Sequence, residues 1–223
     1  MIAINGVTKT IENGGEKQTL LDNISMNVKK TEFVAICGSS GSGKSTLLSV
    51  MSGIDKPNKG KVIIDDIDIY DLNNSQLAKF RNENIGIVFQ NFNLISSLSV
   101  LENVEVPLYL AKMKNKSRKN AAELLEILGL KNKKTSKVGN LSGGEQQRVA
   151  IARALIQNPK IIFADEPTGA LDYETGNLIL DLLKEIRDEY FLTIVLVTHE
   201  KYIAELADRT LILKKNRIYS DHL

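Results

Sequence analysis

Residues 38–45 read Gly38-Ser39-Ser40-Gly41-Ser42-Gly43-Lys44-Ser45, the spacing G-x-x-x-x-G-K-[ST]. Small residues in this order let successive backbone N–H groups converge on one anion, and a helix start behind them adds positive potential. Lys44 is then placed for the β and γ phosphates of a nucleotide, and the Ser45 hydroxyl for Mg²⁺. Farther on, Ile161-Ile162-Phe163-Ala164 ends in Asp165-Glu166. Side chains alternate along a strand, so adjacent carboxylates point different ways and can divide two tasks: Asp165 near a metal shell, Glu166 at an attacking water. A third segment, Leu141-Ser142-Gly143-Gly144-Glu145-Gln146-Gln147-Arg148, contains S-x-x-E at 142–145, a capping box for a helix running to Gln157. The same helix start can offer N–H groups to an anion, with Gly143 and Gly144 permitting close approach. Gln147 and Arg148 either continue that function or are exposed helix surface.

The elements that position these groups are visible as patterns. Ile2–Ile4, Leu20–Val28 and Phe33–Cys37 read as strands, with a hairpin tip at Asn13-Gly14-Gly15. The glycine-rich loop follows the Phe33–Cys37 run directly, and Thr46–Met51 reads as the helix it opens, ending near Gly53. Lys61–Ile64, Ile85–Phe89, Lys160–Ala164 and Leu192–Val197 are further strands; the unbroken apolar runs suit parallel strands covered on both faces. From about Ser99 to Asn158 the pattern turns helical, with one helix over Asn120–Leu128 stopping at Gly129. Leu178–Tyr190 reads as a connecting helix, and Leu211–Leu213 as a last apolar run.

Composition sets limits. The chain has 223 residues, 43% hydrophobic and 25% charged, with net charge +2, enough for one α/β domain with a sizeable core. That charge gives no argument for nucleic acid. Lys112–Lys119 and Lys131–Lys137 are locally basic, as a solvated face or as attraction to an anionic membrane surface. The one cysteine, Cys37, ends an apolar run and is expected in the core; no internal disulfide is possible, which suits a reducing cytosol. No apolar stretch reaches bilayer-spanning length, and the first residues carry no signal-peptide pattern.

Together, the phosphate loop, the Asp165-Glu166 strand end and the Ser142–Arg148 segment resemble the ATPase subunit of ATP-binding-cassette (ABC) transporters over nearly the whole chain. The resemblance implies an α/β P-loop NTPase fold: a mixed β-sheet core, an N-terminal antiparallel β-subdomain and an α-helical insert at 91–157, all in one domain. It implies ATP and Mg²⁺, with Gly38–Thr46 holding phosphates and Ser45, Gln90 and Asp165 serving the metal. Lys44, Gln90, Glu166 and His199 match the family's catalytic positions. Ser142, Gly143, Gly144 and Asp172 match those that reach the nucleotide of a second copy in a head-to-tail dimer. A separate membrane permease is the implied partner, contacted through 91–110, with the ATPase peripheral on the cytoplasmic side.

Two places depart from the family pattern. Ile11 stands where an aromatic residue usually stacks on adenine, so the stacking residue is open; Lys137–Asn140 lacks a proline common before the signature. Asn91–Leu94, Leu101–Leu108 and Asp165–Asp172 look like the LolD/MacB/SalX/BceA-like branch, covering lipoprotein release, macrolide export and antimicrobial-peptide resistance. The cell-division ATPase is a near relative, so transmission of force or signal without transport is the alternative. A ribosome- or DNA-acting family member is not expected, since two cassettes or a long coiled coil are absent.

Overall fold

In a computed structural model of the chain, the structure describes residues 2–110 and 117–220; most of the basic segment Lys112–Lys119 lies outside the described residues. In chain order come β1 (Ile2–Asn13), β2 (Glu16–Val28), β3 (Phe33–Cys37), α1 (Lys44–Met51), β4 (Lys59–Ile64) and β5 (Ile67–Asp68). Next are α2 (Asn74–Asn84), β6 (Ile85–Phe89), α3 (Val100–Leu110), α4 (Ser117–Ile127) and α5 (Gly143–Leu155). Then follow β7 (Ile161–Asp165), α6 (Tyr173–Tyr190), β8 (Thr193–Thr198), α7 (Lys201–Ala204), β9 (Arg209–Lys214) and β10 (Arg217–Ser220). The chain forms two compact units, residues 1–81 with 192–223 and residues 82–191.

In the first unit, β1 and β2 pair antiparallel around a turn at Gly14 and Gly15, whose φ angles of 61° and 87° suit the predicted hairpin tip. Both strands run well past the expected Ile2–Ile4 and Leu20–Val28. The extra residues, paired as Thr10↔Thr19, Ile11↔Gln18 and Glu12↔Lys17, are too polar to signal a strand and are recruited by the continuing ladder. With β4 and β5 they form an antiparallel sheet in the order β2-β1-β4-β5. The fully buried β3 pairs parallel with β8 on one side and β9 on the other, and β10 adds antiparallel to β9. α1 buries Leu47, Leu48, Val50 and Met51. Cys37 packs in the core with Ala35 and Ala204, as its apolar run predicts.

In the second unit, β6 and β7 pair parallel in register from Ile85↔Ile161 to Phe89↔Asp165. α5 approaches β6 so closely that a Cβ on Gly86 would lie 2.5 Å from Ala154 O; only glycine admits this contact. α3 opens with a capping box, Ser99 N–H donating to Glu102 Oε2 at 2.7 Å and Glu102 N–H to Ser99 Oγ at 3.3 Å. α4 is followed by Gly129 at φ 70°, the predicted stop. α6 begins five residues before the expected Leu178, at Tyr173, because Asp172 caps it. α2, most of it in the first unit, carries no buried residue, which is why no apolar stripe announced it. Among the described residues no helix is long and apolar enough to cross a membrane.

The end of α1 is tied down by Tyr70. Its hydroxyl lies 2.7 Å from Val50 O and 2.6 Å from Asp55 O, and burial, reinforced by the Asp55 charge, pushes the phenol well above its usual range. Lys9 Nζ meets Asp55 Oδ1 at 2.6 Å on the same turn. Tyr70→Phe removes the single hydroxyl proton that the two carbonyls share and is expected to cost about 1–3 kcal/mol in urea unfolding; an unchanged midpoint would show that this donor contributes nothing net.

Candidate functional site

In the first unit the parallel register sets Cys37 beside Thr198, so Gly38 and His199 leave the same end of neighbouring strands. His199 is exposed there. Gly43 caps α1 at φ 99°, and a Cβ on it would stand 2.7 Å from Leu20 O. That conformation and that contact both require glycine. Gly43 gives α1 no side-chain cap, and no acid occupies its first turn; a helix start of this kind suits an anion. Lys44, only 5% exposed, donates from Nζ to Gly38 O at 3.0 Å and Ser39 O at 3.2 Å, holding its charge over the loop. The buried Ser42 hydroxyl has no hydrogen-bond partner among the described residues and would be 2.6 Å from a Cβ on Gly38. Ser45, Ser39, Ser40 and Gly41 are exposed. A buried orphan hydroxyl, an open helix start and a poised ammonium are what a phosphate site needs.

In the second unit Phe89 pairs with Asp165, so Gln90 and Glu166 follow as neighbours at one strand end. Glu166 takes φ 43°, a left-handed backbone that costs about 1–2 kcal/mol for a residue with a Cβ and turns its carboxylate out of the strand's alternation. The turn is held by Gly169 N–H to Glu166 O at 3.0 Å and Leu171 N–H to Thr168 O at 2.9 Å. A Cβ on Gly169 would lie 2.8 Å from Gln90 Nε2, so the Gln90 side chain rests on this turn. Gln147 is not exposed surface: it is fully buried and donates from Nε2 to Pro167 O at 2.6 Å, fixing the turn from α5.

Ser142 closes the predicted capping box, its Oγ accepting from Glu145 N–H at 3.3 Å while Glu145 Oε2 accepts from Ser142 N–H at 2.9 Å. As an acceptor in the cap, the exposed Ser142 hydroxyl keeps its own proton to donate to an anion. The bond from Ser142 N–H, with Lys133 nearby, lowers the Glu145 pKa. Asp172 caps α6, accepting from Thr175 N–H at 2.9 Å, and that bond lowers its pKa. Ile11 is exposed on β1.

Two residues of this unit went unpredicted. Asn103, fully buried, accepts from Ile95 N–H at 2.7 Å and donates to Ile95 O at 3.1 Å and Ser99 O at 3.0 Å. Arg153 donates to Phe92 O at 2.8 Å and Asn93 O at 2.5 Å. Both fasten the loop after Gln90, and only their place inside otherwise apolar helix patterns hinted at them.

The family described as ABC transporter matches residues 21–169. The uncharacterized ABC transporter ATP-binding protein MJ0796 of Methanocaldococcus jannaschii is 48% identical over 223 residues, covering 98% of this chain and 95% of its own. Its dimeric post-hydrolysis structure bound to ADP and Pi superposes with a TM-score of 0.89 at 44% identity, covering 99% of this chain and 98% of that one. The macrolide export ATP-binding/permease protein MacB of Campylobacter jejuni is 45% identical over 99% of this chain, which spans 34% of that protein. Methionine import ATP-binding protein MetN 1 of Bacillus thuringiensis is 42% identical over 99% of this chain, which spans 66% of it.

Ser142→Ala removes the cap acceptor and is expected to cost about 1 kcal/mol of stability, read by denaturant titration. Glu145 and Asp172 have folded pKa values below the ordinary 4.5 and 3.8. The stability they add is therefore complete above those values and is lost as pH falls through the depressed ones. Amide exchange at the starts of α5 and α6 should accelerate relative to α1 in that window; equal change in all three would deny the caps this role.

Proposed function

Because this chain belongs to the ABC transporter family, whose ATP-binding subunits are ATPases, we propose that it powers a separate membrane permease that exports or extrudes a peptide, drug or lipoprotein-type substrate. One observation carries the ATP chemistry: the N-cap Gly43 brings no side-chain cap and the first turn of α1 no acid, while Lys44 is held over the loop carbonyls. Gly38–Thr46 hold the phosphates, and Lys44 balances charge that grows on the γ-phosphoryl group. Glu166 orients and polarises the attacking water, with His199 on the γ-phosphate and Gln90 sensing the metal. The Ser45 hydroxyl, the Gln90 amide oxygen and the Asp165 carboxylate would hold Mg²⁺, each offering the oxygen donor that this ion takes. Bound there, Mg²⁺ would neutralise charge on the β and γ oxygens.

Two copies close head to tail in this reading. The retained proton of Ser142 and the N–H groups of Gly143 and Gly144 then meet the nucleotide of the partner copy, with Asp172 beside them; the dimeric structure of the similar MJ0796 supports this. The permease contact lies within 91–110. A groove of about 330 Å³ lined by Ile87, Phe89, Pro107 and Leu110 supports it, with Leu110 78% exposed. The cytoplasmic face of the membrane is the corresponding location. The markers Asn91–Leu94 and Leu101–Leu108 support export, the direction in which the similar MacB is named, while the similar MetN 1 is named for import.

Glu166→Gln should bind ATP normally, accumulate as a dimer and hydrolyse ATP about 10²–10⁴-fold more slowly, measured as phosphate release; turnover at the wild-type rate would remove Glu166 from the chemistry. Tagged Glu166→Gln protein pulled from native membranes with ATP should bring a permease. Recovery of a cell-wall hydrolase or sensor kinase with it would replace export by force or signal transmission, and recovery of soluble proteins alone would reject the permease reading.

A further inference from the structure

The loop behind Gln90 is bent in a way its sequence does not favour. Phe92 and Asn93 take φ 59° and 49°, two successive left-handed residues that each carry a Cβ. Local bonds tighten the turn, with Phe92 N–H donating to Phe89 O at 3.2 Å. What holds the strained pair from outside is one side chain. Arg153 Nη2 donates to Phe92 O at 2.8 Å and Nη1 to Asn93 O at 2.5 Å, a planar fork gripping two consecutive carbonyls. A point-charge lysine can satisfy one of these but not both in the same geometry.

Arg153 sits where three features meet. It lies on α5, about three turns after the helix start at Ser142. It lines the 330 Å³ groove and is the one charged residue among the described residues lining it. The loop it grips begins at Gln90, whose side chain rests against Gly169 in the turn that carries Glu166.

We infer that Arg153 is a positioning residue for Gln90: its guanidinium holds the strained Phe92–Asn93 backbone, and so fixes where Gln90 stands and ties it to both α5 and the groove. The inference rests on the reading that this chain hydrolyses ATP with Gln90 at the metal. A displacement of α5, or a groove occupant that draws the guanidinium away, changes the Gln90 loop through these two bonds.

Arg153→Met keeps the apolar stem and removes the fork; Arg153→Lys keeps the charge. Both are compared with Gln90→Ala and with the Arg153→Met/Gln90→Ala pair in the full chain. The readouts are phosphate release as Mg²⁺ is titrated at saturating ATP, binding of a fluorescent ATP analogue without Mg²⁺, and thermal unfolding. Arg153→Met should lower kcat about 10- to 100-fold and raise the Mg²⁺ concentration for half-maximal rate, leaving analogue binding unchanged. Arg153→Lys should recover part of the rate. In the Gln90→Ala background Arg153→Met should cost almost nothing further, since the group it positions is gone. Multiplying losses in the pair, or an unchanged Mg²⁺ dependence with only a lower unfolding temperature, would overturn the inference. If Arg153→Met does not fold, Arg153→Lys alone and in the Gln90→Ala background decides by the same criterion. Wild-type protein without ATPase activity would instead overturn the underlying reading.

Discussion

Parallel strand register is the constraint on which everything else in this molecule depends. A parallel ladder ends with neighbouring strands pointing the same way, so the first residue past each strand is delivered beside its neighbour's. Cys37↔Thr198 delivers Gly38 next to His199, and Phe89↔Asp165 delivers Gln90 next to Glu166. A slip of one residue would exchange the faces of every side chain on the strand and move the chemistry into the core. The runs that enforce the register, Phe33–Cys37 and Thr193–Thr198, are buried throughout, so slippage would also expose or crowd apolar side chains. Stability and site geometry are thus set by the same contacts.

The segments beyond the strand ends have no ladder to hold them, and polar side chains take over. Asn103 binds both ends of the 95–99 stretch, Gln147 grips the turn at Pro167, Arg153 holds Phe92 and Asn93, and Gln157 donates to Pro107 O at 3.0 Å. In the first three a side chain on a helix bonds to main chain of a loop; Gln157 instead reaches from the turn after α5 to main chain within α3. A buried carbonyl deprived of its donor costs about 1–3 kcal/mol, so the loops are confined to the conformations in which these bonds exist. The left-handed Phe92, Asn93 and Glu166 are tolerated on that account.

Helix starts are treated in two opposite ways. α3, α5 and α6 are closed by Ser99, Ser142 and Asp172, which occupy backbone donors that would otherwise face water. α1 is left open, and a buried hydroxyl and a lysine are gathered at it instead. The difference is that the N-cap of α1, a glycine, has no side chain with which to close the helix start. Around α5, the basic stretch Lys131–Lys137 is engaged locally: Lys131 pairs with Glu126, Lys133 with Glu145, and Lys137 donates to Ser97 O.

The sequence by itself determined what depends on neighbours in the chain. The phosphate loop, the capping box at Ser142, the stop at Gly129 and the buried strands were legible because each is a short pattern of residue types with a local physical cause. The polar extension of β1 and β2 and the exposed α2 were not, since they form by joining an existing ladder or surface rather than by their own apolar period. Tertiary structure alone decided that Gln147 is core rather than surface, that Glu166 adopts a left-handed backbone, and that Arg153 meets carbonyls 60 residues away. Those outcomes follow from which buried donor is brought within reach of which carbonyl, and packing settles that only when the whole chain has closed.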